Sequence, residues 1–247
     1  ATGRSALYSN TTGSNNVASG YQTLHSNTTG NSNSAYGKRA LFSNTTGSNN
    51  AAVGDGALQN NVTGSSNSAV GKNALKSNTN WNNTAVGYDT LTSNTSGTSN
   101  SALGRDALHF NTTATFNSAF GVESLYSNTT GGNNNAFGYQ AMRSNTTGGS
   151  NVAIGHQALK ASNSSTGHTA IGYNALISNT SANYNTAVGF DALFSNTTGG
   201  DNTAVGTNSL RANTTGANNN AFGRDALLSN TTANNNVAVG HESLRAN

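Results

Sequence analysis

This sequence contains no cysteine and no proline among its 247 residues. The lack of cysteine excludes a disulfide framework and thiolate metal ligands. Charged residues make up only 8% of the chain, against about 25% in a typical soluble domain. The net charge of +3 is spread along the whole length, so we expect no nucleic-acid partner, because nucleic-acid binding depends on clustered phosphate contacts.

Long apolar runs are also missing. No run approaches the roughly 18 residues that span a bilayer, and no signal peptide is recognisable. We therefore expect no membrane insertion in this segment. Because the sequence begins and ends inside a repeat, we expect it to be a fragment of a longer chain.

What the sequence does contain is a repeat. A glycine closes an Ala-x-Gly triplet at positions 3, 20, 37, 54, 71, 87, 104, 121, 138, 155, 172, 189, 206, 223 and 240, at intervals of 17 residues with a single interval of 16. We number every position from this glycine, which is position 0. Position −2 is always Ala, and position +4 is Leu in every repeat but one, which has Met142. Positions +7 and −4 are Asn, with Ser162 and His168 as the only exceptions.

Each repeat has a short apolar segment and then a polar arc such as "SNTTGSNN" at 9–16. A helix would need apolar residues every three or four positions over about ten residues. Short strands and turns fit better, and units this small bury a core only by stacking. We predict an all-β fold, a parallel β-solenoid of about 14–15 coils that forms one continuous array over residues 1–247. Coils stacked at ~4.8 Å would make a rod roughly 70 Å long.

In such a stack, identical positions form ladders. The Leu at +4 and the apolar residue at −1 predict core ladders, and burying each Leu contributes about 1.5–3 kcal/mol. The Asn rows predict amide ladders and also the corners of each coil, because Asn tolerates left-handed backbone. The first members of these structural ladders are Leu7, Leu24, Leu41 and Leu58, then Asn10, Asn27 and Asn44, and Asn16, Asn33 and Asn50.

The small residues at −2 and 0 share one face of the strand. One interpretation is a bend packed against the opposite wall of the same coil. The other is an interface between subunits that runs the length of the rod. The candidate interface residues are Ala18, Gly20, Ala35, Gly37, Ala52 and Gly54.

The outer surface is predicted from the charges, since 18 of 19 charged residues lie at +1, +2 or +5 and only Asp201 does not. Mixed charges in this pattern are typical of a solvated face. Position +1 also carries aromatic residues, which could stack on sugars or a neighbouring subunit, or pack on adjacent coils. These candidate ligand contacts are Tyr21, Tyr88, Tyr139, Tyr173 and Phe190.

Catalytic chemistry is not indicated. The acidic residues occupy generic repeat positions, and the five histidines lack the paired spacing of a metal site, so we expect no enzyme, no cofactor and no metal. The "NTT" triplets that begin at Asn10 match the N-glycosylation sequon, but corner geometry explains them as well.

The segments "NSAVG", "NTAVGYDTL" and "NNAFGYQAM" resemble the head repeats of trimeric autotransporter adhesins, the YadA-like family, and are similar to repeats of phage tail fibres. The resemblance implies a left-handed parallel β-roll, three chains side by side and a role in surface attachment. The repeat is longer than is usual in that family, and this segment has no neck, stalk or anchor.

Three functions are compatible with these features. The first is a non-enzymatic extracellular fibre or adhesin segment at the cell surface, a homotrimer or filament with surface glycans as ligands. The second is a phage tail-fibre shaft, located in a virion. The third is an ice-binding solenoid, suggested by the stacked residues Thr11, Thr28 and Thr45.

Overall fold

The strands of this protein are short and all parallel, as seen in a computed structural model that describes residues 1–246. The chain forms two compact units, Ala1–Val122 and a second unit that begins at Glu123. Within the described residues there is no helix, and so none long and apolar enough to cross a membrane.

The first unit contains seven strands of three residues each, hydrogen-bonded in chain order. They are β1 Val17–Ser19, β2 Ser34–Tyr36, β3 Ala51–Val53, β4 Ser68–Val70, β5 Thr84–Val86, β6 Ser101–Leu103 and β7 Ser118–Phe120. The second unit also has seven strands in chain order. They are β8 Asn135–Phe137, β9 Val152–Ile154, β10 Thr169–Ile171, β11 Thr186–Val188, β12 Thr203–Val205, β13 Asn220–Phe222 and β14 Val237–Val239.

Within each unit, consecutive strands pair through equivalent residues of neighbouring repeats, as Ala35 does with Ala52 in the first unit and Ala153 with Ala170 in the second. The predicted all-β parallel β-solenoid with a 17-residue repeat is therefore confirmed. Its left-handed sense and its continuity as one array stay predictions.

The 16-residue repeat keeps the strand register, since Ser68 pairs with Thr84. The one-residue deletion therefore lies in the polar arc of this repeat. There the carbonyl of Asn80 accepts bonds from the side-chain amides of Asn67 and Asn78, at 2.8 and 2.6 Å. The arc tolerates a deletion because one carbonyl still satisfies both amide rows.

The corners of the coils are not where the Asn rows predicted them. Left-handed backbone occurs at +2, +4 and −5, for example at Arg39 (φ 55°), Leu41 (φ 51°) and Asn49 (φ 59°). No Asn at +7 or −4 has a positive φ among the described residues. These side chains instead point inward, where their amides are needed for hydrogen bonding, so the corner assignment of Asn10 and Asn16 was wrong.

The apolar interior is built from leucine and alanine. Leu24, Leu41 and Leu58 are completely buried, whereas Leu7, in the first coil, is half-buried. The Ala at −2 and a second row at +3, mostly Ala with Thr or Ser in places, fill the remaining space. Leucine in left-handed backbone is strained, and its burial offsets that cost in coil after coil.

The Asn row at +7 forms an amide ladder. The side-chain amide of Asn44 donates to the Oδ1 of Asn27 at 2.8 Å and to the carbonyl of Gly47 at 2.9 Å. Asn27 donates in the same way to Asn10 at 2.8 Å. Each Asn therefore links its own arc to the neighbouring coil.

The Asn row at −4 forms a second ladder that also binds backbone. The Oδ1 of Asn33 accepts the backbone N–H of Asn50 at 3.0 Å, and the Oδ1 of Asn16 accepts that of Asn33 at 2.9 Å. The amide of Asn33 donates to the carbonyl of Gly47 at 2.8 Å. These buried polar groups are thus satisfied only when the coils are stacked.

Replacement of one core leucine should be costly. Leu75→Ala removes a completely buried side chain, so we expect a loss of about 2–5 kcal/mol of unfolding free energy, measured by chemical denaturation. Thr63→Ala, on the exposed arc of the same unit, is the control and should change stability by less than about 0.5 kcal/mol. Equal effects of the two changes would contradict a leucine core.

Restoration of a missing ladder residue should be stabilising. Ser162 replaces Asn at +7, and both its Oγ and the Oδ1 of Asn145 are buried without a hydrogen-bond partner. Ser162→Asn should restore the bond and add about 1 kcal/mol in chemical denaturation. Ser164→Asn, at an exposed position, should have little effect, and a destabilising Ser162→Asn would contradict the ladder geometry.

Candidate functional site

The outward strand face, which we define as positions −3 and −1 of each strand, is the most regular exposed surface in both units. The middle residue of every strand is a buried Ala, and the residues on either side are half-buried or exposed. Position −3 carries mostly small residues, and position −1 mostly large apolar ones. The exposed members of the −1 row are Tyr36, Val53, Val70, Leu103, Phe137, Ile154, Ile171, Phe222 and Val239.

The prediction that the −1 row is a core ladder was therefore wrong. Val53 and Leu103 expose 43% and 46% of their surface, while Leu58 exposes none. A strand alternates its side chains between two faces, and the interior face is occupied by Ala. The coil is too narrow to hold a large residue from the strand and a leucine from the opposite turn.

The predicted interface at Ala18, Ala35 and Ala52 is also corrected, because these residues are at most 2% exposed within their own chain. The partner glycines have the same internal role. A Cβ on Gly37 would lie 2.6 Å from the carbonyl oxygen of Gly54, and its φ of +125° favours glycine. Gly20 and Gly54 contact the next coil in the same way. Small residues here allow coils of one chain to approach each other.

The aromatic residues at +1 are exposed, but several of them stack on one another. In the second unit the rings of Tyr139, His156, Tyr173 and Phe190 form a continuous stack, with centroids 5.2, 4.9 and 5.2 Å apart. In the first unit the ammonium of Lys72 lies 5.8 Å from the ring centroid of Tyr88. Because the ring faces inside this stack are covered by neighbouring rings, it presents ring edges to solvent rather than open platforms for a sugar. Tyr21 is exposed as predicted.

The stacked threonines of the polar arc donate hydrogen bonds to the backbone. The hydroxyls of Thr11, Thr28 and Thr45 donate to carbonyls of the next coil at 2.9, 3.0 and 3.1 Å. Their protons are therefore not available to order water at the surface. This geometry removes the sequence argument for ice binding at this row.

Two of the charged residues at +2 are more buried than the sequence indicated. Asp191 and Asp225 are only 7% and 6% exposed. The amide of Asn208 donates to Asp225 at 2.9 Å, and this bond, with Arg224 nearby, holds the pKa of the Asp225 carboxyl below its ordinary value. These carboxylates belong to the ladder system rather than to a fully solvated face.

One group of potential metal ligands occurs among the described residues. Asp225, His241 and Glu242 place ligand atoms within 4.8 Å of one another. However, Arg224 lies 3.1 Å from Asp225, and Arg245 lies 3.4 Å from Glu242. Since both carboxylates already pair with a guanidinium, the charge of this group does not favour a cation.

No pocket is present in residues 1–246. A binding partner would therefore contact the outer surface of the described part of the chain. Comparison with protein-family models, curated proteins and solved structures found no match to this chain. Its function has to be inferred from its own residues.

The internal role of the repeat glycines can be measured. Gly206→Ala would place a Cβ 2.6 Å from the Gly223 backbone in left-handed conformation, so we expect more than about 1 kcal/mol of destabilisation in chemical denaturation. Gly200→Ala is the control, because its Cβ would lie 3.3 Å from the nearest atom, the carbonyl oxygen of Asn183. A well-tolerated Gly206→Ala would contradict close coil contact at position 0.

Proposed function

We propose that this chain is a segment of a non-enzymatic extracellular fibre that associates with copies of itself through the outward strand face. The observation that carries the proposal is the row of exposed apolar side chains at −1, repeated coil after coil in each unit. Contiguous apolar surface of this kind marks an association site. The chemistry of the row fits another apolar sheet better than a polar ligand.

The −3 row supports the packing of one sheet on another. Most of its members are small, such as Ser34, Ala51 and Ser68, with Thr169 and Thr186 in the second unit. Small residues that alternate with large ones let side chains of facing sheets interdigitate at about 10 Å separation. Identical chains present identical rows, so a cyclic oligomer would bring the same row of every copy to the common axis. Three chains around one axis would also agree with the resemblance to trimeric head repeats.

Such an assembly would be stable although each contact is weak. One buried methylene contributes about 0.8 kcal/mol, and every coil adds a similar contact to the same interface. After the first coils meet, the others associate at high effective concentration. A repetitive fibre that reaches away from a surface and makes many equivalent contacts is suited to attachment.

The outer side of the fibre would then carry the contacts to a surface. The polar arcs and the +1 row remain exposed when the outward strand faces are covered. The stacked rings of Tyr139, Tyr173 and Phe190 offer ring edges to solvent. Surface glycans remain the proposed ligand class, bound by many equivalent arcs rather than in one deep site. A fibre shaft of a virion would use the same assembly.

Self-association should fail when the −1 row becomes polar. The triple variant Val53→Asn, Val70→Asn and Leu103→Asn changes exposed residues of the first unit, so we expect a folded single chain where the wild type is an oligomer. The measurement is molecular mass by light scattering, with circular dichroism to verify folding. The matched control Thr46→Asn, Thr63→Asn and Thr113→Asn lies on the exposed polar arc and should leave the mass unchanged.

Two outcomes would contradict the proposal. The first is a wild-type chain that stays monomeric at all accessible concentrations. The second is an oligomer whose mass the −1 variants do not alter, which would place the interface on another face.

A further inference from the structure

The coil that begins at Gly155 differs from the others in both amide ladders. Ser162 replaces Asn at +7, and His168 replaces Asn at −4. The side-chain amide of Asn179, in the next coil, donates to the Oγ of Ser165 at 3.3 Å. In regular coils this amide donates to the Asn at +7 of the preceding coil, a position that Ser162 occupies here. Because both amide ladders lose an Asn in this one coil, we expect its stacking to be less stable than that of the regular coils.

His168 imitates the Asn that it replaces. Its Nδ1 accepts the backbone N–H of Asn185 at 3.1 Å, as an Asn Oδ1 would. Its Nε2 lies 2.8 Å from the carbonyl oxygen of Ala182, the acceptor that an Asn amide would use. The ring is only 1% exposed, so water is not an alternative partner.

This geometry fixes the tautomer of the neutral ring. A backbone N–H can only donate, so Nδ1 must be unprotonated, and Nε2 then carries the proton that Ala182 accepts. Protonation of Nδ1 would bring two N–H donors face to face at 3.1 Å. The imidazolium can keep the bond from Nε2 to Ala182 but not the bond to Asn185. A buried cation whose Nδ1–H has no acceptor is costly.

No charged group is placed to stabilise that cation. The titratable or charged residues of this coil and of the two coils packed against it are Tyr139, Arg143, His156, Lys160, Tyr173 and Tyr184. His168 forms neither an ion pair nor a hydrogen bond with any of these residues. The contacts of its side chain are to Asn179, Ala182 and Asn185.

We propose that His168 makes the junction between its coil and the next a pH-sensitive opening point of the second unit. In neutral medium the ring completes the −4 ladder. In mildly acidic medium the ring takes up a proton, the acceptor for Asn185 is lost, and the two coils separate locally. Every other coil uses Asn at this position, which does not titrate.

The direction of the pH effect follows from burial. Desolvation lowers the pKa of His168 below its ordinary value of 6.5, so the open state binds the proton more readily than the closed state. The stability that this histidine provides is fully present above pH 6.5 and is lost as the pH falls below that value. Acid therefore favours opening.

The test is amide hydrogen exchange of the full chain at pH 7.5 and pH 5.0, with rates corrected for the intrinsic pH dependence of exchange. For residues 182–186 of the wild type, we expect the opening equilibrium to rise by up to about 30-fold at pH 5, which is about 1.5 units below the unfolded pKa. His168→Asn should reduce this change to less than about 2-fold. His25→Asn, at a stacked ring of the first unit, is the control and should keep the full response.

A second measurement does not depend on any variant. Titration of the wild-type histidine ring signals by NMR should show a pKa below 6.5 for His168, whose signal is assigned by its absence from His168→Asn. An equal pH response in the wild type and His168→Asn would overturn the proposal. A ring pKa at or above 6.5 for His168 would overturn it as well.

Discussion

The two units depend on the satisfaction of buried amides from one coil to the next. An Asn side chain in a dry interior costs several kcal/mol unless both of its polar atoms find partners. In this fold the partners belong to the adjacent coil, as Asn44 donates to Asn27 and Asn33 accepts from Asn50. The amides of a single coil therefore cannot be satisfied alone, and this constraint keeps the ladder positions in phase even where the polar arc is one residue shorter.

The same constraint separates the inside of the coil from the outside. Interior positions are nearly invariant, since Ala at −2, Leu at +4 and Asn in both ladders each have a fixed place. Outward positions such as +1 vary among Tyr, Arg, Lys, His and Thr without a change of register. Departures inside the coil, at Ser162 and His168, leave unpartnered atoms or a titratable group in the ladder. Function and regulation can therefore be sought in the outer rows and in the broken ladder positions.

Much of this fold could be predicted from the sequence, because period and ladder residues repeat in phase. The solenoid, the Leu24 to Leu58 ladder and the Asn27–Asn44 amide bonds all follow from stacking identical positions. Which face of the strand points into the coil could not be predicted in the same way. Hydrophobicity predicted Val53 in the core and left Ala52 either packed inside its own coil or at an interface, whereas the width of the coil places Ala52 inside and Val53 outside. Width depends on the turn that carries Leu58, which no local pattern describes.

This inversion connects the fold to the proposed association. If the interior accepted large residues at the strand, a chain of this kind could bury its valines and phenylalanines and remain alone. Because alanine fills that space, the large apolar residues at −1 are exposed or half-buried rather than buried. The buried interior of the coil is formed by Ala at −2, Leu at +4 and the Asn ladders, so it does not require an apolar side chain at −1. The proposed association with a second copy would account for Val, Ile and Phe at this position in most repeats, because a second copy carries the same apolar row.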